Sequence, residues 1–579
     1  MANGSPTKET NVKKTSLAIC EVHAFVPTRL ARCVALALAV SAPAGAFAFN
    51  INTGNPDLEL TWDNSIRYNA GLRVGKVDPT FANDVMTDET EGRFERGHFV
   101  TNRVDLVTEF EAVWKRDFGF RTSVAAWYDA AYANKSRSNP NLSVTVPGLG
   151  SFGSNNYAND VYNPYTKRYV HGPSGELLDA FAFGKFQLGE TQLNLKVGQH
   201  NVYWGDSMFT IGNSIAYSQG PIDTIKSATS PGAEAKELFL PLKQISAQWQ
   251  VNPSLSLSAQ YLLDWKPFRL VPGGTYFAQN DAVRSDYASP PIAALAPGGS
   301  QWLDSGPDLE PNHKRGDFGV NLRASPTWLN GTFGVYYRRF DEKLPWGFVA
   351  AGGGTTPGTI GAARLNYARG VQLFGLSLNK PVGPISVGSE VSYRKNTALN
   401  STTQFVLNPN PTYDQAEGAR GDTFHALVNG IYLLPRTPLW VGGNVAAELS
   451  YQRLIRATRN KALFNACNGA DKRTGCATES ALGMNVSFTP EWPQAFPGWD
   501  LSMPISVAYG IHGNGPALAG GNEGSLSASI GLKGKLYTVY EFSLAYNTSR
   551  ARYASPTVTS GPASQNSHDW LSFTFKTTF

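Results

Sequence analysis

From Leu58 onward, apolar residues fall on nearly every second position: Leu58, Leu60, Trp62, Ile66, Tyr68, Ala70, Leu72 and Val74. Glu59, Thr61, Asp63, Ser65, Arg67, Asn69, Gly71 and Arg73 lie between them. Successive side chains of a strand point to opposite faces, so this stretch has one apolar and one charged face; a helix would scatter the same residues all round. The alternation returns down the chain. Val104, Leu106, Phe110 and Trp114 oppose Arg103, Asp105, Glu109 and Glu111. Ile245, Ala247, Trp249 and Val251 oppose Gln244, Ser246, Gln248 and Gln250, and the pattern resumes after Asn252-Pro253-Ser254 as Leu255, Leu257, Ala259, Tyr261 and Leu263. Two such runs joined by a tight turn predict a hairpin.

Further hairpin turns are predicted at Lys115-Arg116-Asp117, Gly189-Glu190-Thr191, Ser325 to Asn330, Asn379 to Pro384, Pro435 to Pro438, Pro490 to Gly498 and Gly534 to Tyr537. Between them lie longer connections, about 75–98, 133–175, 202–242, 267–314, 341–364, 397–420, 455–480, 512–523 and 551–567. Short and long connections alternate strictly, as in a transmembrane barrel with tight periplasmic turns and long extracellular loops. The expected fold is therefore all-β: an antiparallel transmembrane β-barrel of about 18 strands, within a range of 16–18. Rings at outward positions where strands rise toward the long loops (Tyr132, Trp265, Tyr337, Tyr393, Tyr451, Tyr509 and Tyr546) and near the short turns (Trp114, Phe118 and Trp249) predict two aromatic girdles around an apolar band. A soluble sandwich also alternates, but it explains neither the girdles nor the asymmetry of the connections.

Composition agrees. Charged residues make up 16% of the chain and Gly numbers 57, a balance suited to short strands and turns. No stretch approaches the roughly 18 consecutive apolar residues of a spanning helix. At the N-terminus, Lys13, Lys14, Arg29 and Arg32 precede the apolar run Cys33 to Val40 and then Ala46-Phe47-Ala48, the pattern of a secretory signal peptide cleaved after Ala48, leaving residues 49–579 as the barrel. Losing residues 1–48 removes five Lys/Arg and two Asp/Glu, which leaves 45 against 43 and a net charge of +2. Near-neutrality argues against a nucleic-acid partner. Of four cysteines, Cys20 and Cys33 leave with the signal, and Cys467 and Cys476 are expected to pair in a surface loop in an oxidising compartment.

If the apolar positions face lipid, the interior receives Asp63, Arg67, Arg73, Arg103, Asp105, Glu109, Glu111, Arg121, Lys196, Arg323, Arg338, Glu390, Arg394 and Glu448. Such charges either form a constriction that sorts solutes or pair across strands and stiffen the wall. The first strand begins about ten residues after the cleavage site, so any plug must come from a loop, with 133–175, 202–242 and 267–314 long enough to fold inward. An enzyme is not expected. His200, Asp206 and Ser207 include suitable residue types, and His425 has inward parity, but nothing in the sequence fixes their geometry. No cofactor, zinc-spacing or Ca²⁺-loop motif occurs.

The chain ends Leu571, Phe573, Phe575 and Phe579 on alternating positions, which resembles the C-terminal signal read by the outer-membrane barrel assembly machinery. Gly54-Asn55-Pro56-Asp57 before Trp62-Asp63-Asn64, Asn102-Arg103-Val104-Asp105-Leu106, and Gly198-Gln199-His200-Asn201-Val202-Tyr203-Trp204-Gly205-Asp206-Ser207-Met208-Phe209 resemble an uncharacterised proteobacterial outer-membrane barrel family catalogued as a domain of unknown function, number thirteen hundred and two. Members often carry Glu where this chain has Asp206. The resemblance implies residence in the outer membrane and passage of small hydrophobic or lipid-like compounds, with a periplasmic partner and an inner-membrane transporter alongside. The alternatives are a general diffusion porin for polar solutes and a non-conducting barrel that docks periplasmic partners. His200, Trp204, Asp206 and Phe209 leave a strand for a long loop, where they either line a gate or anchor the loop to the wall.

Overall fold

The computed structural model describes residues 49–84, 86–134, 143–146, 150–153, 161–284, 287–288, 302–352, 359–554 and 561–579. The expected signal peptide, 1–48, lies outside the described residues. The alternating segments form eighteen antiparallel strands, each paired with its neighbours in sequence. The first nine are β1 (Leu58–Arg73), β2 (Phe99–Trp114), β3 (Phe118–Asp129), β4 (Ser174–Leu188), β5 (Thr191–His200), β6 (Leu242–Asn252), β7 (Leu255–Leu262), β8 (Phe318–Ala324) and β9 (Thr332–Phe340). The rest are β10 (Val371–Val382), β11 (Ile385–Ala398), β12 (Arg420–Leu433), β13 (Gly442–Arg459), β14 (Ser480–Phe496), β15 (Trp499–Ser502 and Ile505–His512), β16 (Leu526–Leu536), β17 (Tyr540–Arg550) and β18 (Trp570–Thr578). β15 is interrupted at Met503-Pro504, where proline brings no N–H to the ladder.

β18 pairs with β1 from Arg73↔Trp570 to Ser65↔Thr578, which closes the sheet on itself. The backbone of Phe579 exchanges hydrogen bonds with Asn64 at 2.7 and 2.9 Å. Beyond it, Phe49–Ile51 takes up the same edge of β1, Phe49 opposite Trp62 and Ile51 opposite Leu60. Closure removes every free edge, so the strand N–H and C=O groups can be satisfied in a medium without water. Two of the short turns, Lys115-Arg116 and Tyr537-Thr538, have both central residues at positive φ, the geometry that follows the right-handed twist of a two-residue hairpin.

Burial is inverted relative to a soluble protein. Leu532 and Leu544 on the outer face are 54% and 53% exposed, whereas Arg338 and Arg394 inside are 2% and 0% exposed. Trp114, Phe118 and Trp249 ring the short-turn end, with Tyr546 exposed and Tyr337, Tyr393, Tyr451 and Tyr509 partly exposed at the other. Tyr132 and Trp265 are corrections to the expected girdle. β3 stops at Asp129 and β7 at Leu262, so strand parity no longer governs them. Tyr132 turns into a buried aromatic cluster, donating its hydroxyl to Val100 O at 3.0 Å, and Trp265 packs edge-on against Tyr367.

The long connections are substantially ordered. Segments Tyr287–Ala288, Trp302–Ser305, Thr359–Asn366, Trp346–Ala351 and Gln404–Val406, from three different loops, form a separate five-stranded sheet. Cys467 and Cys476 form the expected disulfide within the loop between β13 and β14.

Candidate channel constriction

The connection between β5 and β6, residues 201–241, enters the barrel and is bound by the wall at two ends. At the first end, acceptors are supplied by carboxylates. Glu390 of β11 accepts the backbone N–H groups of Asp206, Ser207 (2.9 Å) and Ile215 (2.7 Å). Glu448 of β13 accepts those of Met208 (2.7 Å), Thr210 (2.6 Å) and Phe209 (3.3 Å), together with the Ser207 hydroxyl (3.2 Å). This winding of chain around two carboxylates needs Gly205, whose φ is +101° and where any Cβ would overlap Glu390 Oε1. Hydrogen bonds to a charged acceptor stabilise by about 1.5–3 kcal/mol each, and the low-dielectric surroundings make loss of either partner costly.

Cations and amides complete that end. Arg338 Nη1 donates to the carbonyls of Ile215 (2.8 Å) and Tyr217 (2.7 Å), and Arg394 Nη2 to that of Ser214 (2.9 Å). Asn429 Nδ2 donates to Asp206 O at 2.6 Å and Asn485 Nδ2 to Thr210 Oγ1 at 3.0 Å. The second end is held from β1, β2 and β18. Arg67 forms a bidentate pair with Glu237 at 2.7 and 2.8 Å, Asp105 accepts from Ser230 at 3.1 Å, and Thr574 donates to Pro231 O at 3.0 Å. Lys236 pairs with Glu109 and Lys576 with Glu234. The loop is thus a strut tied to nearly opposite parts of the wall.

The remaining candidates are placed as follows. Arg103 pairs with Asp105 at 2.9 Å, and Arg121 with Glu109 (2.5 Å) and Glu111 (3.3 Å), all along the wall. Arg73 is buried against Glu91 and the carbonyls of Glu91 and Phe94 in the first external loop. Lys196 sits over the Phe181 ring. Asp63 stands opposite Glu109 in the β1–β2 register. Arg323, on the face shared by Gly319 and buried Asn321, is exposed and joins no ion pair among the described residues.

Of the four loop candidates, Trp204 packs against Tyr336, and Asp206 is held through its backbone to Glu390 and Asn429. His200 closes β5 with Nε2 2.7 Å from Ser246 Oγ, and only Phe209 is exposed to open space. The residues weighed for catalysis are not assembled. Ser207 bonds to Glu448, while His425 faces Thr423 and Asn213.

Opposite the strut, between it and β14–β17, lies a cavity of about 550 Å³. Its wall side is Asn485, Ser506, Ala508, Ser527, Ser529, Asn547 and Ser549; its inner side includes Phe209, Phe277, Trp570 and His568. A second cavity of about 160 Å³ shares Asn485, Ala508 and Ser527 and runs along the strut by Thr210 and Asn213. His568 is the one titratable side chain of the larger cavity's lining. Burial lowers its proton affinity, and Glu91 only partly restores it, which favours the neutral ring. The lining holds no carboxylate, lysine or arginine. The sequence reading missed this wall because it searched the inner face for charges; the signal was their absence from inward positions such as Asn485, Ser506, Ser527 and Asn547.

Fold and site together define a porin-like β-barrel of the bacterial outer membrane, with its lumen narrowed by an inward loop. The chain belongs to the family described as "Protein of unknown function (DUF1302)", whose model matches residues 28–579. No curated protein matches it. Among solved structures it is similar to the outer membrane channel DcaP of Acinetobacter baumannii, at 9% identity and a TM-score of 0.37, covering 92% of this chain and 99% of that one. It is also similar to Acinetobacter baumannii OccAB3 (11%, TM-score 0.41, 90% and 99%) and to a BenF-like porin from Pseudomonas fluorescens Pf-5 (11%, TM-score 0.40, 90% and 98%). At such identities and TM-scores the functional reading rests on this chain's own geometry.

Proposed function

We propose that the protein is a passive outer-membrane channel for small uncharged molecules with apolar surface, which pass between the strut and the β14–β17 wall. The observation that carries this reading is the uncharged lining of the 550 Å³ cavity, small hydroxyl and amide side chains on one side and rings on the other. Small polar groups hydrogen-bond a solute without holding it, and aromatic faces accept its apolar part. A desolvated ion would find no countercharge there, which opposes ion flow. At the short-turn end Lys533 and Lys535 both pair with Glu541, at 2.8 and 3.4 Å, so the charge there lies outside the cavity lining and is partly compensated. By this reading the charged residues of the other wall serve to hold the strut.

The test is reconstitution of the purified barrel. Planar-bilayer recordings are expected to show small conductance, while liposome uptake of a neutral aromatic alcohol exceeds that of its carboxylate. Large, weakly selective conductance steps with equal uptake of both would replace this reading with a general diffusion porin.

A further inference from the structure

Two external loops bring together three carboxylates that do not line the cavity described above. Asp88 and Glu89 open a short helix, Asp88–Gly92, in the connection between β1 and β2, and Asp281 belongs to the connection between β7 and β8. Glu89 and Asp281 lie 192 residues apart in the chain, yet each of the three places a carboxylate oxygen within 4.8 Å of the other two. They are 1%, 1% and 0% exposed.

Asp281 is fixed by donors. Its Oδ2 accepts the Glu89 N–H at 3.1 Å; its Oδ1 accepts the N–H of Thr90 at 3.2 Å and of Gly274 at 2.9 Å, and the Thr90 hydroxyl. Its own N–H donates to Met86 O at 2.8 Å, which locks the two loops in register. Glu89 is the opposite case: neither of its side-chain oxygens receives any hydrogen bond, and it joins no ion pair among the described residues, although it is wholly buried and directed into the cluster. A buried carboxylate with no donor is among the most costly groups a fold can keep. Two further carboxylates beside it deepen that cost: burial raises the proton affinity of all three, repulsion between the acids adds to it at Glu89 and Asp88, and Asp88 is pushed up to about 8.

We propose that Asp88, Glu89 and Asp281 bind a hard divalent cation, Ca²⁺, which cross-links the first and fourth external loops. The donor set is oxygen only, which selects Ca²⁺ or Mg²⁺ over softer metals. Oxygens up to 4.8 Å apart match opposite ligands of an ion bound at 2.3–2.6 Å, and Ca²⁺ tolerates the irregular arrangement that Mg²⁺ does not. None of the three carboxylates is among the residues that line the proposed passage. Its sequence signature was invisible because the ligands come from distant loops without a contiguous motif.

The experiment uses the full-length barrel, purified in detergent, stripped with chelator and titrated with Ca²⁺ by calorimetry; thermal midpoints are measured with and without Ca²⁺. The expected result is one Ca²⁺ per chain and a midpoint that rises on adding it. Glu89→Gln is expected to keep heat-modifiable gel mobility, showing that the barrel has formed, and to bind Ca²⁺ at least roughly tenfold more weakly with no rise in midpoint. Absence of Ca²⁺ uptake by the folded wild-type barrel would overturn the proposal in favour of carboxyls that share protons. Undiminished binding by Glu89→Gln, or uptake of Mg²⁺ alone, would overturn the assignment equally.

Discussion

The two sides of the barrel lumen are built for different tasks, and one row across the sheet shows where the change falls. Reading outward from β12, neighbouring inward residues are Asn429, Glu448, Asn485, Ala508, Ser527 and Ser549. Charge stops at Glu448. On its near side, inward carboxylates and guanidinium groups are buried under the 201–241 strut and consumed by its backbone; on its far side every residue is small and neutral, and the space stays open. A charge on a barrel's inner face is therefore not in itself evidence of a filter. In this molecule the charged wall is the socket of an internal element, and the neutral wall is, on the proposed reading, the surface that a solute touches.

The comparison breaks most visibly if the socket is emptied. Glu390→Ala with Glu448→Ala strips acceptors from six backbone N–H groups of the strut. Each such hydrogen bond is worth about 1.5–3 kcal/mol, without additivity, so this end of the strut is expected to detach. Single-channel conductance should rise severalfold while heat-modifiable mobility shows the barrel still closed. Unchanged conductance would mean that the strut does not set the width of the passage.

A smaller effect is expected from the other anchor. Arg67→Ala leaves Glu237 without its bidentate partner in a buried position, a loss on the order of 3–5 kcal/mol for a pair broken on one side. Lys576–Glu234 and Lys236–Glu109 still hold the same segment, so conductance should increase less than in the double variant although the thermal midpoint falls. A conductance gain equal to that of the double variant would show the two anchors to be one cooperative unit.

How far these contrasts could be read beforehand depended on the range of the signal. The barrel was legible because strand parity is local: alternation around Arg67, Asp105 and Glu448 puts each on the inner face whatever the rest of the chain does. The identity of what those residues hold was not legible, since Glu390 meets Asp206 from 184 positions away and Glu448 meets Ser207 from 241. Parity also misled where strands ended early, as at Tyr132 and Trp265, since alternation ceases to mean in and out once the ladder stops. The weighing of Trp204 and Asp206 as gate or anchor could not be decided without the partner carboxylates; the structure ties Asp206 by its backbone and leaves Phe209 facing the open space.

The neutral wall can be sharpened by giving it what it lacks. Ser527 borders both cavities, and Ser527→Asp places a carboxylate in the uncharged lining. Coulomb attraction to a passing cation at 4 Å is about 4 kcal/mol at an effective dielectric of 20, reduced by salt and by whatever water accompanies the ion. The variant is expected to make the small ionic conductance of the channel cation-selective, read as a shift in reversal potential under a salt gradient, with little change in thermal midpoint because the site has room for water. If selectivity stays the same, ions do not travel along β14–β17.

The smallest effect should come from Arg323. It keeps inward parity on β8 but is exposed, joins no ion pair among the described residues, and lines neither of the two cavities. If inward charge as such governed permeation, Arg323→Gln would alter selectivity as much as Ser527→Asp does. If solutes instead follow the neutral wall it should not, because a solvated cation away from the narrow route is screened within a Debye length of about 8 Å at physiological salt. The expected outcome is a reversal potential within error of wild type and a thermal midpoint that hardly moves. A shift as large as that of Ser527→Asp would move the passage from β14–β17 to the β8 side of the strut, and with it the division of labour between the two walls.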